Sequence, residues 1–318
     1  MGTPEFAVPT LLALAASRHQ IAGVLTQPDR PRGRGQHVQP GPVKQVALGL
    51  GLPIWQPDRM RQPGLLDSLR ALDPDLAVVA AYGKILPAEL LAIPRLGAIN
   101  VHASLLPRWR GASPVHHAVA HGDHETGVTI MRMVQALDAG AMMARAVRAI
   151  GPEETAGEVE AALARLGAPL LVEVVDQLAA GTATETPQDE RLVTFAPRLT
   201  REDATIDWTR PGVALQCFVR GMQPWPGALT WLNDARWNVR RVRVIEPGPD
   251  ATGPGPDEPA PGTVIDAAGD RLVVACGGGT RVAIVEIQPE GRRTMTAREF
   301  LAGRRIPVGA RLGSERRR

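Results

Sequence analysis

At 318 residues, with 44% hydrophobic and 22% charged side chains, the chain is long enough to bury one sizeable core and a second, smaller one. Two cysteines, Cys217 and Cys276, exclude a disulfide framework. With neither a signal peptide nor a bilayer-long apolar run read in the sequence, a protein of the reducing cytoplasm is expected. The formal net charge of +3 is unevenly spread: residues 1–207 carry 19 basic and 22 acidic side chains, and residues 208–318 carry 17 and 11. Basic charge therefore gathers in the C-terminal third, which suits contact with a polyanion, although a solvated basic face would look the same.

Aromatic residues make up only 3% of the chain, so Val, Leu, Ile and Ala must build most of the core. Short apolar runs at residues 19–26 (HQIAGVLT), 75–81 (DLAVVAA) and 97–103 (GAINVHA) read as buried strands. Amphipathic stretches at 7–18, 42–51 and 65–73 separate them, a βαβ rhythm that predicts a parallel sheet covered by helices. Residues 129–134 and 144–150 extend the sheet, and 155–180, apolar at helical spacing, is a long closing helix.

Residues 182–206 have no strong period and read as a connection. A helix at 211–221 follows, then short strands at 228–232, 238–245, 262–265, 271–275 and 281–287, with a Pro/Gly-rich loop at 246–262. So many short strands in so small a region predict a small β-barrel, a common nucleic-acid platform when basic. Gly277, Gly278 and Gly279 are expected to turn between two of its strands.

Ligands of open parallel sheets gather beyond the carboxyl ends of the strands. Asn100-Val101-His102 closes one such strand, and the two polar residues, two positions apart, share a face. Leu137-Asp138-Ala139-Gly140 follows the next strand and places a carboxylate on a turn. An amide donor, an imidazole and a carboxylate suit acyl transfer to an amine, which needs an oxyanion stabilised and protons moved. On spacing alone, a buried strand-capping histidine and a turn-stabilising aspartate fit as well.

The segment 27–38 (QPDRPRGRGQHV) interleaves Arg30, Arg32 and Arg34 with Pro and Gly, so it cannot be helical, and its guanidinium groups suit phosphates or an ordinary surface loop. His116, His117, His121 and His124 include an i,i+4 pair, yet no HExxH pattern or nearby cysteine accompanies them, so surface histidines and no metal are expected.

Taken in order, Gly2-Thr3-Pro4-Glu5-Phe6-Ala7, Gln27-Pro28-Asp29-Arg30-Pro31 with Gly33-Arg34-Gly35, Asn100-Val101-His102, residues 104–111 (SLLPRWRG), Gly127-Val128-Thr129-Ile130-Met131 and Leu137-Asp138-Ala139-Gly140 resemble the methionyl-tRNA formyltransferase family. The resemblance continues through Ile206-Asp207-Trp208, Pro224-Trp225-Pro226 and residues 295–301 (MTAREFL). It implies a Rossmann-like formyltransferase domain over 1–181, a linker over 182–206 and an OB-type barrel over 207–318. It also implies formyl transfer from 10-formyltetrahydrofolate, without a metal, to the amino group of initiator methionyl-tRNA in translation initiation, by a cytoplasmic enzyme expected to be monomeric. Asn100, His102 and Asp138 take the catalytic positions in that likeness. Ser104, Leu105, Leu106 and Pro107 match the folate-contacting segment, and Arg30, Arg32 and Arg34 the insertion that engages the tRNA acceptor end, with Arg34 at the key arginine.

Two rivals follow from the same residues. A folate-dependent formyl enzyme acting on an amino sugar nucleotide or hydrolysing the donor would keep Asn100, His102 and Asp138, whereas an RNA-binding protein with a degenerate enzyme domain would have no use for them. One departure stands out: family members begin with a strand before the Gly-Thr-Pro turn, while here Met1 directly precedes Gly2, so a first strand encoded upstream is expected.

Overall fold

In chain order the elements are α1 (Val8–Ala16), β1 (Val24–Leu25), β2 (Arg30–Arg32), β3 (His37–Gln39), α2 (Pro42–Gly49), β4 (Ile54–Trp55), α3 (Leu65–Arg70), β5 (Ala77–Val79), α4 (Ala88–Leu91), β6 (Ala98–His102), β7 (Arg110–Gly111), α5 (Pro114–Ala120), β8 (Glu125–Arg132), β9 (Met142–Ala149) and α6 (Ala156–Ala180). They continue with β10 (Phe195–Ala196), α7 (Gly212–Gly221), β11 (Ala228–Leu232), β12 (Ala235–Ile245), β13 (Val264–Ala268), β14 (Arg271–Ala275), β15 (Arg281–Pro289), β16 (Met295–Thr296) and α8 (Ala297–Ala302). The structure, a computed structural model, describes residues 1–32, 37–245 and 258–313. These elements form two units. The first holds Met1–Pro114, Glu125–Ala149 and Glu158–Pro197, and the second holds Val115–His124, Ile150–Gly157 and Arg198–Arg318.

In the first unit β1 pairs in parallel with β4, and β5 pairs in parallel with β6, which is followed by β8 and β9. The chain's first two residues join the two pieces: Gly2 N–H donates to Leu25 O at 3.0 Å, while Ala80 N–H donates to Met1 O at 2.9 Å. The Met1 amino group lies 2.6 Å from Val78 O. Alongside them a cavity of about 500 Å3 is lined by Met1, Gly23, Leu76 and Val78 from the sheet and by Leu11 and Val175 from α1 and α6.

The βαβ rhythm gives the parallel half of this sheet. The rest of the sheet is antiparallel, since β8 runs against β6, with His102 opposite Thr129 and Ile99 opposite Arg132, and β9 runs against β8 and so in the direction of β6. Between β8 and β9 there is only a short, helix-free turn, and a parallel return would need a crossover of a dozen residues or more. α6 covers the sheet through Val159, Leu163, Leu171, Val174 and Leu178, buried at three- and four-residue spacing as an amphipathic helix requires. At Gly167 the helix approaches the sheet so closely that a methyl group there would meet Val128 and Val101.

The second unit is built on the antiparallel order β11-β12-β15-β14-β13, with β16 on β15. Residues 311–313 close it, because Trp231 bridges Gly313 and Thr263 bridges Arg311. The sheet thereby curls into a small barrel around Trp237, Val239, Val242, Leu272, Ile284 and Ile287. Phe300 of α8 caps this core, edge-on to Trp237 with ring centroids 5.1 Å apart. The capping box of Thr296 and Glu299 starts α8 and holds the Glu299 carboxyl down at about 2, chiefly through Arg293. The triple glycine turns β14 into β15, with Cys276 N–H donating to Thr280 O. β12 buries Trp237 and Val239 and, past an irregularity in its pairing between Val239 and Val242 that shifts the alternation by one, Val242, and it leaves Arg236, Arg241 and Arg243 exposed.

Candidate active site

β6 is an apolar strand whose last residues change character. Val101 is buried towards α6, and Asn100 and His102 point to the opposite face. His102 is 5% exposed, with Nε2 3.0 Å from Trp109 O and Nδ1 3.8 Å from Asp138 Oδ2. A carbonyl oxygen only accepts, so the Nε2–H···O bond fixes the tautomer and leaves Nδ1 as the nitrogen that gains or loses a proton on the side of Asp138. Their separation of 3.8 Å is an ion-pair distance, longer than a hydrogen bond.

Asp138 reaches this position by a route that the sequence did not suggest. Because β8 is antiparallel, its carboxyl end lies beside Ile99, not beside His102. The following loop brings the carboxylate back, and Asp138 takes a left-handed backbone conformation, φ 46°. Its Oδ2 accepts the Gly111 N–H at 2.8 Å. Gly111 has φ 129° and lies so close to Ala196 O that an added Cβ would stand 2.5 Å from it, so only glycine fits.

The segment 104–107 lies directly after His102. Ser104 and Leu106 are fully buried, and Leu105 and Pro107 are half-buried. Thr129 Oγ1 ties the turn together, donating to Ser104 O at 2.7 Å and accepting from Leu106 N–H at 3.2 Å. Ser104 Oγ donates to Arg108 O at 2.6 Å, so its hydroxyl is engaged within the turn. Leu105 and Pro107 are the side chains of this segment that reach the surface.

Arg30 and Arg32 lie on the β2–β3 hairpin, with Arg30 opposite Gln39, and Arg30 is exposed. Arg34 lies outside the described residues. At the base of the hairpin Asp29 pairs with Lys44 and accepts from Gln56, and these bonds hold its carboxyl below the usual range. The local acid is thus neutralised, which leaves Arg30 a cation. Among the described residues no group of three or more His, Cys, Asp or Glu is placed to hold a metal ion. His116 is held below the ordinary histidine range by burial and by the neighbouring His117, and His117 and His121 stack with centroids 5.7 Å apart.

Sequence reasoning missed the residues that frame Asp138. Arg110, 4% exposed, and Gln188 and Glu190 from the segment after α6 form a hydrogen-bonded group beside it. Arg110 lies inside the SLLPRWRG motif, and a guanidinium among apolar neighbours was the available signal, since a buried cation requires a partner.

Comparison with known proteins gives the family. A family model described as formyl transferase matches residues 1–175, and one described as formyl transferase, C-terminal domain, matches 198–305. A methionyl-tRNA formyltransferase of Methylococcus capsulatus is 46% identical over 313 residues, covering 98% of this chain and 98% of that protein. One of Geotalea daltonii is 47% identical, with 98% and 97% covered. The chain belongs to the methionyl-tRNA formyltransferase family. Among solved structures, a sugar 3N-formyl transferase crystallised in the presence of dTDP and 5-N-formyl-THF aligns with a TM-score of 0.64 at 14% identity, covering 92% of this chain and 97% of that one. An N-formyltransferase from Helicobacter canadensis, in complex with folinic acid and dTDP-3-aminofucose, aligns with a TM-score of 0.63 at 13% identity, covering 89% and 96%. At such identities the likeness is one of fold: methionyl-tRNA formyltransferases share their architecture with formyl enzymes of other substrates. No helix among the described residues is long and apolar enough to cross a membrane.

Proposed function

We propose that the protein transfers the formyl group of 10-formyltetrahydrofolate to the amino group of initiator methionyl-tRNA, acting as a cytoplasmic monomer. The observation that carries this reading is similarity at nearly half identity, over almost the full length, to proteins of that name. The approach of His102 and Asp138, with Asn100 on the same face of β6 as His102, supports it, as does the exposed Arg30 on the hairpin. Arg241 and Arg243 on the barrel suit the same polyanionic acceptor.

In this mechanism the methionyl amine attacks the formyl carbon, forming the new C–N bond and an oxyanion. Asn100 donates its amide N–H to that oxygen, and the His102 imidazolium, protonated on Nδ1, places positive charge beside it. Asp138 holds the imidazolium by charge and accepts the proton that the attacking amine sheds. When the oxyanion collapses, the bond from carbon to the folate nitrogen breaks, and that nitrogen takes up the proton that Asp138 received and leaves as tetrahydrofolate. Leu105 and Pro107 supply an apolar edge for the planar pterin next to these groups, and Arg30, Arg32 and Arg34 are assigned to the tRNA phosphates by their charge and by the family resemblance.

A formyl-transfer assay with charged initiator tRNA and with an amino sugar nucleotide separates this reading from its nearest rival. The expected result is turnover on methionyl-tRNA alone, reduced at least about a hundredfold in kcat by Asp138→Asn and by His102→Ala. Preferential formylation of the sugar nucleotide would overturn the substrate, and parental turnover in either variant would remove that residue from the mechanism.

A further inference from the structure

The segment between α6 and β10 does more than connect. Thr186 exchanges both backbone hydrogen bonds with Met142, at 2.8 Å each. Trp109 N–H donates to Thr194 Oγ1 at 2.9 Å, Arg110 N–H donates to Thr194 O at 2.9 Å, and β10 pairs in parallel with β7. Residues 186–196 therefore cross the two loops that carry Gly111 and Asp138, and one side chain in this crossing is bonded to both loops.

That side chain is Gln188. Its Nε2 donates to Asp138 O at 2.7 Å and to Gly140 O at 2.8 Å, so both amide hydrogens are used on the backbone of the catalytic loop. Its Oε1 accepts from Arg110 Nε at 3.0 Å and Nη2 at 2.9 Å. Arg110 is held in turn by Glu190, with Nη2 2.8 Å from Oε1 and Nη1 3.2 Å from Oε2. The amide can point only one way in this chain of bonds, because a guanidinium only donates and a backbone carbonyl only accepts.

Asp138 needs such support. A left-handed conformation is unfavourable for a side chain with a Cβ, and it persists where surrounding bonds over-determine it. The carboxylate itself accepts the Gly111 N–H, which belongs to the residue after Arg110. Arg110 thus fixes the donor to the Asp138 carboxylate through its backbone and the carrier of Asp138 through Gln188.

We propose that Gln188, oriented by Arg110, is a positioning residue for the Asp138 carboxylate. It touches no substrate, and its action is to hold the loop at 138–140 in the one geometry that sets the carboxylate against His102. This inference stands on the reading of Asp138 as the catalytic carboxylate. Misplacement of such a group by about 1 Å lowers the rate of the chemical step by as much as about a hundredfold, while substrate binding is spared.

The test is steady-state formyl transfer with Gln188→Ala and Gln188→Glu, each alone and combined with Asp138→Asn. Gln188 is half-buried, so truncation does not open a sealed cavity. The glutamate keeps the shape and sets a carboxylate against two carbonyl oxygens. Both variants should lose about tenfold or more in kcat with KM for donor and acceptor within about threefold, and neither should cost a further step once Asp138 is Asn. Parental kcat, or a loss that multiplies fully with that of Asp138→Asn, would overturn the assignment. Parental turnover of Asp138→Asn itself would instead overturn the reading of the site. Should the Gln188 variants fail to fold by circular dichroism, Glu190→Ala decides. Its carboxylate is 71% exposed and orients Arg110 from outside, so a lower kcat at constant KM supports the inference and an unchanged kcat refutes it.

Discussion

Replacing Gly140 by alanine tests how finely the carboxylate loop is set. Gly140 packs against the end of β8, and a Cβ built there would stand 1.8 Å from Arg132 O and 2.8 Å from Arg132 C, both backbone atoms that cannot swing away. Real Cβ atoms essentially never come closer than 3.0 Å to such a neighbour, so the loop and the strand must part by about 1 Å or more. Asp138 lies two residues back, and its 2.8 Å bond from Gly111 N–H would lengthen beyond hydrogen-bonding range with a displacement of that size. Overpacking of this kind costs about 1–3 kcal/mol of stability. The chemical step should lose about a hundredfold, because the group that works with His102 has moved by about an ångström. Urea denaturation gives the first quantity, and single-turnover formyl transfer at saturating donor gives the second. A variant destabilised as expected but with kcat within about threefold of the parent would refute the claim that loop placement limits the chemistry.

Other outcomes follow from separate features. Arg34→Ala should weaken methionyl-tRNA binding and make its dependence on salt shallower by about one unit of slope, with donor affinity constant; an unchanged slope would make the segment an ordinary surface loop. Thr230 is fully buried, accepts Trp208 Nε1–H at 3.0 Å and donates to Gly313 O at 3.2 Å. Thr230→Val keeps the shape but strands the Trp208 Nε1–H, while Gly313 O keeps the Trp231 N–H, so a loss of about 1–3 kcal/mol is expected in urea, and a parental midpoint would show that the bond is dispensable. The Met1 ammonium is pushed from 8.0 down to about 5 by burial. With a free amine at Met1, the unfolded chain takes up this proton below pH 8 and the folded chain does not until about pH 5. Stability should fall as pH falls through that window, by at most about 4 kcal/mol at about 1.4 kcal/mol per unit, since Val78 O offsets part of the burial. Urea midpoints at pH 8 and pH 6 that do not differ between the free and the acetylated terminus would contradict the burial of the amine.

What the sequence revealed follows the range of the forces involved. Asn100 and His102 were legible because a strand of period two ends on them, and β11 and β14 because a short apolar run bounded by turn residues marks a strand. The direction of β8 was not legible. Its apolar run reads the same in a parallel or an antiparallel ladder, and its pairing with β6 is made across about twenty residues that would allow either direction. The group around Asp138 was hidden for a different reason: Gln188 and Glu190 sit in a stretch without hydrophobic period and find their partners 50 and 80 residues away. No local pattern encodes such a pairing. Arg110 alone carried a hint, by its place between Trp109 and Gly111 in a motif rich in apolar residues.

The latch over the catalytic loops also fixes where this polypeptide can be cut or recombined. The long helix α6 ends at Ala180 and looks like the natural seam between a catalytic half and a barrel half. Residues 186–196 lie beyond that seam, yet they belong by their bonds to the first unit, which extends to Pro197. A graft that brought in a foreign barrel at residue 181 would therefore also bring a foreign latch, and the transplanted half would inherit whatever fit its donor had evolved for another pair of loops. Joined at 198, the same exchange leaves the chemistry with its own fastening, and the incoming barrel must still accept residues 115–124 and 150–157, which belong to the second unit.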